Sequence, residues 1–242
     1  MDFLDPYVVT RDAELVPVDE VRRLEVELGV TLPADYTRAL STLGRGGWCG
    51  EVDLVDPDHL RGWLPRHRRS VAEFWFWDDA VVTQADAVRS IPVGGSYNGD
   101  ALVLVDGRLA WLPRDTQVVL EAGTTCQEAL TVLFDSGTVG TRPTIAWFAS
   151  YAGDRRSQNR QGGDHRANLE AVRAAFPDAP VDVDPVWPTA VVLLRELGGY
   201  VELHGYDGNT GAHVDRDATL PDAWERLNAA LTSTGCVPPG GR

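Results

Sequence analysis

The chain contains no lysine, and this absence excludes several kinds of active site. All 22 basic side chains counted as lysine or arginine are arginines. A P-loop, a Schiff-base lysine and a Ser–Lys catalytic pair are therefore excluded. The sequence also lacks a GxGxxG turn after a strand, an HExxH pair and a GxSxG elbow. None of the common local signatures of nucleotide binding or hydrolysis is present.

Cysteine is scarce, and long apolar runs are missing. The three cysteines, Cys49, Cys126 and Cys236, are odd in number, far apart and form no CxxC pair. We interpret them as reduced thiols, belonging neither to a disulfide framework nor to a zinc site. No run approaches the ~18 apolar residues of a membrane span. The start of the chain, MDFLDPYVVTRDAELVPVDE, is acidic and lacks the apolar core of a secretory signal, so we expect a cytoplasmic protein.

Acidic residues outnumber basic ones, mainly in the first half of the chain. The formal net charge is −14, from 36 acidic and 22 basic side chains. Residues 1–140 hold 23 acidic side chains and 12 arginines, whereas residues 141–242 hold 13 and 10. A negative field disfavours nucleic acid and anionic membranes and favours basic protein partners. Solubility alone is an equally simple explanation of the acidity.

The stretch from Leu28 to Trp48 organises the first part of the chain. The apolar spacing predicts an amphipathic helix over residues 18–28, capped at its start by Asp19 or a neighbour and ended by Gly29. Pro33 opens a second helix over residues 34–43, because its missing N–H costs nothing in the first turn. Gly44, Gly46 and Gly47 are expected to end it.

Strand patterns and turn residues dominate the next hundred residues. We expect a short helix at 58–64 ended by Pro65, a strand at Phe74–Trp77, and a hairpin of residues 101–105 and 108–112 turning at Asp106-Gly107. A Thr-led helix start follows at 124–128, with an apolar helix body at 129–134 that Gly137 ends. In the second half, residues 151–164 indicate an exposed loop. The same half predicts helices at 165–176 and 222–231, a strand at 200–206, and an apolar helix or strand at 189–197.

Three segments, in this order, resemble the SMI1/KNR4 family, also called the SUKH superfamily. They are LEVELGVTLPADYTRALSTLGRGG, SIPVGGSYNGDALVLV and CQEALTVLFDSG, within residues 14–137. None of the three is a catalytic signature. The chain departs from the family pattern at Arg45, where the family has an asparagine-like residue before the glycine pair.

The resemblance implies a fold and a type of function. The fold is α+β, with a mixed, mostly antiparallel sheet flanked by helices, over residues 1–140. Outside the resemblance, the residue pattern of 141–242 predicts an additional α+β region, and a degenerate second copy of the first unit stays open as an alternative. In bacteria such proteins are often immunity proteins that bind and neutralise a toxin, and in fungi they are scaffolds or regulators. We therefore expect a non-enzymatic immunity protein without cofactor or metal, whose partner is a cognate basic toxin, and a scaffold with several partners is the alternative.

The candidate partner-binding residues lie near the turns of the first half. Glycines allow sharp turns and close approach of another surface, and aromatic side chains near turns are typical of binding hot spots. The candidates are Arg45, Trp48, Glu51, Tyr97, Asn98 and Asp100. Three of these features have a purely structural alternative: the glycines end a helix, Trp48 belongs to the core, and Asn98-Gly99 is only a hairpin turn.

The second half leaves a third hypothesis open, an enzyme that depends on His204 or His213. The same segment holds the densest set of ligand-type residues: His204, Asp207, His213, Asp215 and Asp217. An EF-hand requires glycine at the sixth loop position, where this chain has Ala212, so we interpret the segment as a hairpin with polar turn residues. Arginines and a histidine that either bind phosphate or solvate a loop are Arg155, Arg156, Arg160 and His165.

Overall fold

The computed structural model describes residues 1–78, 81–137, 139, 143–206 and 209–239. The chain divides into two compact units. The first unit comprises residues 1–6, 13–142 and 146–150, and the second comprises residues 7–12, 143–145 and 151–242. The expected division at residue 140 differs from this one, because a strand at 147–150 belongs to the first unit. Helices and largely antiparallel sheets make up both units, which confirms the predicted α+β class.

The elements follow one another along the chain. They are β1 Tyr7–Val8, α1 Val18–Leu28, α2 Ala34–Thr42, β2 Gly46–Trp48, β3 Val52–Leu54, α3 Pro57–Glu73, α4 Gln84–Arg89, β4 Ile91–Ser96, β5 Ala101–Val105, β6 Arg108–Leu112, β7 Leu120–Gly123, α5 Cys126–Asp135, β8 Trp147–Ser150, β9 Arg155–Gln161, α6 His165–Ala175, β10 Val181–Val183, β11 Thr189–Leu194, a 3-10 turn Arg195–Leu197, β12 Gly199–Tyr206, β13 Asn209–Asp217 and α7 Pro221–Ser233.

Seven strands of the first unit lie side by side in one sheet. These run in the order β8-β2-β3-β4-β5-β6-β7. The pairings among these seven strands are antiparallel. The chain therefore enters the sheet near one edge and adds strands outward from β2 to β7, until β8 returns to pair with β2.

Helices cover both faces of this sheet. Val103 and Ala110 lie on one face and join a buried cluster with Val71 of α3 and Ala87 of α4. Trp111 lies on the opposite face, since side chains alternate along a strand, and its indole N–H donates to the carbonyl of residue 129 in α5 at 2.8 Å. The core of the first unit is thus layered helix, sheet, helix.

The second unit is a five-stranded antiparallel sheet with two helices on one face. The strand order is β10-β11-β12-β13-β9. Side chains of α6 and α7, among them Val172 and Leu227, pack with Val201 and Val214 in one buried cluster. The alternate positions on the strands face away from these helices and are largely polar.

Several local predictions are confirmed. Helix α1 spans the predicted residues, and Gly29 ends it in the left-handed conformation, with φ 68°. Pro33 precedes the first residue of α2. Asp106 and Gly107, with φ 47° and 79°, form the predicted turn between β5 and β6. Thr125 and its partner three residues later form a reciprocal capping box at α5.

Other predictions are wrong, and Pro65 is the clearest case. It lies inside α3, which continues to Glu73. The apolar side of this helix, with Leu60, Leu64 and Val71 buried, extends past the proline. Packing of that face outweighs the one main-chain hydrogen bond that proline removes.

Two segments have a different secondary structure from the expected one. Residues 74–77 form no strand: Trp77 is buried and donates to the carbonyl of Pro113 at 2.8 Å, while Phe74 is 67% exposed. The expected loop at 151–164 instead contains the edge strand β9, which pairs with β13. Asp19 does not cap α1, because Pro17 occupies the cap position without a side-chain hydrogen bond.

Candidate functional site

The first turn of the candidate site connects β2 to β3. Cys49 and Gly50 both have positive φ, 56° and 71°, and the N–H of Glu51 donates to the carbonyl of Trp48 at 2.9 Å. The N–H of Cys49 donates to the carbonyl of Trp147 at 3.0 Å. These hydrogen bonds fix the position of the turn against β8. The turn places Glu51 at the end of the sheet.

The second turn connects β4 to β5. The N–H of Gly99 donates to the carbonyl of Ser96 at 2.9 Å, and Gly99 has φ 93°. The carboxylate of Asp100 lies beneath the turn, where it accepts from the Ser96 hydroxyl at 2.5 Å and from the main-chain N–H of Arg114 at 2.8 Å. The turn carrying Tyr97 is consequently braced from inside.

These two turns lie side by side at one end of the sheet. The N–H of Tyr97 donates to the carbonyl of Glu51 at 2.7 Å, which joins them directly. Tyr97 is 86% exposed, and the side chain of Arg114 passes over Gly99 and reaches the carbonyl of Asn98 at 3.4 Å. We name the surface formed by Glu51, Tyr97, Asn98 and Arg114 the hairpin-end surface.

Two of the candidate residues are internal, so the expectation that they contact a partner is corrected. Trp48 is 1% exposed, donates its indole N–H to the carbonyl of Phe3 at 2.7 Å and packs edge-on against Phe148. Asp100 is 3% exposed, and its carboxylate is used within the turn. Trp48 therefore belongs to the core, as the structural alternative held, and Asp100 positions Tyr97.

Arg45 lies at the other end of the β2–β3 hairpin, away from the hairpin-end surface. Its guanidinium pairs with Glu14 and Asp58 at 3.1 Å each and with Asp56 at 3.6 Å. Burial acts to lower the pKa of Arg45, but the Asp56 and Glu14 carboxylates outweigh it and raise the pKa above its ordinary value. Arg45 therefore ties the segment before α1 to the start of α3.

A second acidic residue, which was not selected from the sequence, lies near this surface in the structure. Asp53 is exposed on β3, and its cross-strand neighbours on both sides are glycines, Gly47 and Gly95. A Cβ on Gly47 would lie 2.1 Å from the Asp53 carboxylate, so a larger residue there would displace that side chain. Trp63 of α3 lies 3.8 Å from the equivalent position on Gly95. Only the strand register, which the sequence does not specify, reveals this arrangement.

The ligand-type residues of the second unit do not gather into a metal site within the described ranges. No three histidine, cysteine, aspartate or glutamate side chains there are arranged to hold an ion. Asp207 lies outside the described residues. Asp215 pairs with Arg155, and Arg160 is 1% exposed and bonded within the core. Of the arginines considered for phosphate binding, these two are occupied by protein groups.

Comparison with known proteins identifies no relative of this chain. No family model matches the chain, and no curated protein or solved structure matches it. Among the described residues, none of the helices has the length and apolar character needed to cross a membrane.

Proposed function

We propose that the first unit is a non-catalytic protein-binding module, an immunity protein of the SMI1/KNR4 type that neutralises a basic toxin in the cytoplasm by binding it. The observation that carries the proposal is Tyr97. An aromatic side chain that is 86% exposed, on a turn braced by a buried carboxylate, has no structural role of its own among the contacts described for it. Rigid exposed aromatics are the residue type enriched at binding hot spots.

Preorganisation supports this role. The turn carrying Tyr97 is fixed by Ser96, Asp100 and the neighbouring Glu51 main chain. Little backbone freedom is therefore left to lose on binding, and the free energy of contact goes into affinity. Tyrosine has only two side-chain torsions, which keeps its own ordering cost low.

Charge supports a basic partner. The hairpin-end surface itself contains one acid, Glu51, and one base, Arg114, while the exposed carboxylates of Asp53 and Asp115 lie close by in the chain. The wider field comes from the net charge of −14. Such a field raises the association rate of a basic protein and is screened by salt.

The proposal is tested by capturing partners from the source cells on the purified full chain. We expect one basic protein to be retained by the wild type and lost by a Tyr97→Ala variant. Phe74→Ala is the matched control, because Phe74 is also an exposed aromatic of the first unit, 67% exposed, outside the hairpin-end surface. If both variants retain the same proteins as the wild type, this surface is not the binding site. Retention of many housekeeping proteins would favour the scaffold function.

A further inference from the structure

The second unit places a serine, a histidine and an asparagine together on the sheet face opposite its helices. In the pairing of β9 with β13, His213 lies opposite Asn159, and Asp215 lies opposite Ser157. Val214, between the two β13 positions, belongs to the helix-packed core. Because side chains alternate along strands, Ser157, Asn159 and His213 all project from the other face.

Both ring nitrogens of His213 are bonded to these neighbours. Nε2 lies 3.0 Å from the Ser157 hydroxyl oxygen, and Nδ1 lies 2.8 Å from the amide oxygen of Asn159. An amide oxygen can only accept, so Nδ1 carries the proton in the neutral ring. Nε2 is then the unprotonated nitrogen, and it accepts from the Ser157 hydroxyl.

This is the order of contacts that activates a nucleophile: a hydroxyl, a base that removes its proton, and a third group that fixes the tautomer of the base. Ser157 and Asn159 are exposed, so a reagent can reach the hydroxyl. The arrangement belongs to the second unit and involves none of the residues of the hairpin-end surface.

The charged groups around the ring are suited to an imidazolium. Glu202 is the cross-strand partner of His213 on β12, and the ring of Tyr200 lies 6.4 Å from the imidazole. On the other side Asp215 is opposite Ser157 and pairs with Arg155. Two carboxylates therefore flank the position where positive charge forms when His213 takes a proton, and one of them is already balanced by an arginine.

We propose that Ser157, His213 and Asn159 form a nucleophilic centre that transfers the acyl group of small carboxylic esters to water. The Ser157 oxygen attacks the ester carbonyl carbon, and its proton passes to Nε2 of His213. The carbon–oxygen bond to the leaving alcohol breaks as that alcohol takes the proton from Nε2. A water molecule, deprotonated by Nε2, then attacks the acyl-serine, releasing the carboxylic acid and restoring the serine hydroxyl. Asn159 acts as a positioning residue that keeps the proton on Nδ1.

The test is hydrolysis of p-nitrophenyl acetate by the full-length protein, with mass spectrometry of the acylated protein. We expect the wild type to be faster than Ser157→Ala by about 100-fold, the lower end of the range for general-base assistance. We also expect one acetyl group on the peptide containing Ser157, absent in His213→Gln. Ser157→Cys keeps a nucleophile at this position and should retain acyl transfer. The control is His204→Gln, which removes a half-buried histidine of the same sheet without touching Ser157.

A separate measurement distinguishes a positioning role from a structural one. In Asn159→Asp a carboxylate replaces the amide and still accepts the proton on Nδ1. This variant should therefore keep acyl transfer, whereas Asn159→Leu, which has no acceptor for that proton, should lose it while the protein stays folded. The proposal is overturned if Ser157→Ala hydrolyses the ester as fast as the wild type, or if the acetyl group is found elsewhere and not on Ser157.

Discussion

The buried imidazole of His67 makes the stability of the first unit depend on pH. The pH range is set by the pKa of this ring in the unfolded and in the folded chain. The side chain is 5% exposed in α3, and its Nε2 lies 2.9 Å from the hydroxyl oxygen of Ser90. That hydroxyl donates to the carbonyl of Ala87 at 2.6 Å, so it accepts from His67 and the ring is neutral with its proton on Nε2. The pKa of His67 is lowered from 6.5 to about 4, mainly by burial; a hydrogen bond with the Ala87 main chain opposes this shift, and the charge of Arg68 adds to it.

The sign and size of the effect follow from the two pKa values. Between about pH 6.5 and pH 4 the unfolded chain binds a proton at this position and the folded chain does not, so the free energy of unfolding falls as the pH falls. The contribution is complete above pH 6.5 and is lost progressively below it. By pH 5 the loss is about 2 kcal/mol, and it approaches about 3 kcal/mol near pH 4.

The assay is urea unfolding of the wild type and of His67→Leu at several pH values. Leucine fits an apolar site and does not titrate, and Ser90 keeps its bond to Ala87. Tryptophan fluorescence reports mainly on the first unit, which holds six of the eight tryptophans. We expect the wild type to lose about 2 kcal/mol more than the variant between pH 8 and pH 5. Equal losses of unfolding free energy in the wild type and in His67→Leu would refute the reasoning, because they would mean that His67 is protonated freely in the folded protein.

Three further substitutions test the packing and the turns. Arg160→Met should destabilise the second unit by about 3 kcal/mol, measured by thermal unfolding, because it leaves a buried carbonyl and two side-chain acceptors without their donors. Gly44→Ala should cost about 2 kcal/mol more than Gly29→Ala in urea unfolding: both glycines have positive φ, but only at Gly44 would the new methyl lie 2.6 Å from a main-chain oxygen. Thr125→Ala should cost about 1 kcal/mol, since it breaks the capping box of α5, and a change below experimental error would contradict that assignment.

The parts of the fold that could be predicted are those specified by nearby residues. Helix α1 with Gly29, the Asp106-Gly107 hairpin and the capping box at Thr125 each depend on a few neighbouring residues. Local chemistry is sufficient for these elements because their hydrogen bonds close within one turn of the chain.

The wrong predictions arose where distant packing outweighs local preference. Pro65 is retained inside α3 because the apolar face of the helix is buried on the sheet. The arginines and polar amides of residues 155–161 predicted a loop. These residues instead pair with β13 as an edge strand, one face of which is polar. Such strands carry no alternation of apolar residues from which to recognise them.

In the candidate site, too, some features depend on nearby residues and others on distant packing. Tyr97 and Asn98 could be selected from the sequence because turn chemistry exposes them, and Glu51 joins them through one main-chain bond. The sequence left Trp48 open between the core and the surface, and it did not indicate that Asp100 is internal, because burial of the two residues depends on β8 and on Arg114, far away in the chain. Turns are predictable from local residues, but the side of the sheet on which a side chain lies depends on register.

The most direct measurement is the equilibrium dissociation constant between the captured partner and the purified chain, compared among the wild type, Tyr97→Ala and Phe74→Ala. If Tyr97 is the anchor of the hairpin-end surface, its truncation costs about 2 kcal/mol or more, which raises the dissociation constant roughly 30-fold. Phe74→Ala should leave the constant unchanged, and the wild-type association rate should fall as salt is added. Equal dissociation constants for the wild type and Tyr97→Ala would contradict the claim that the first unit binds its partner through this surface.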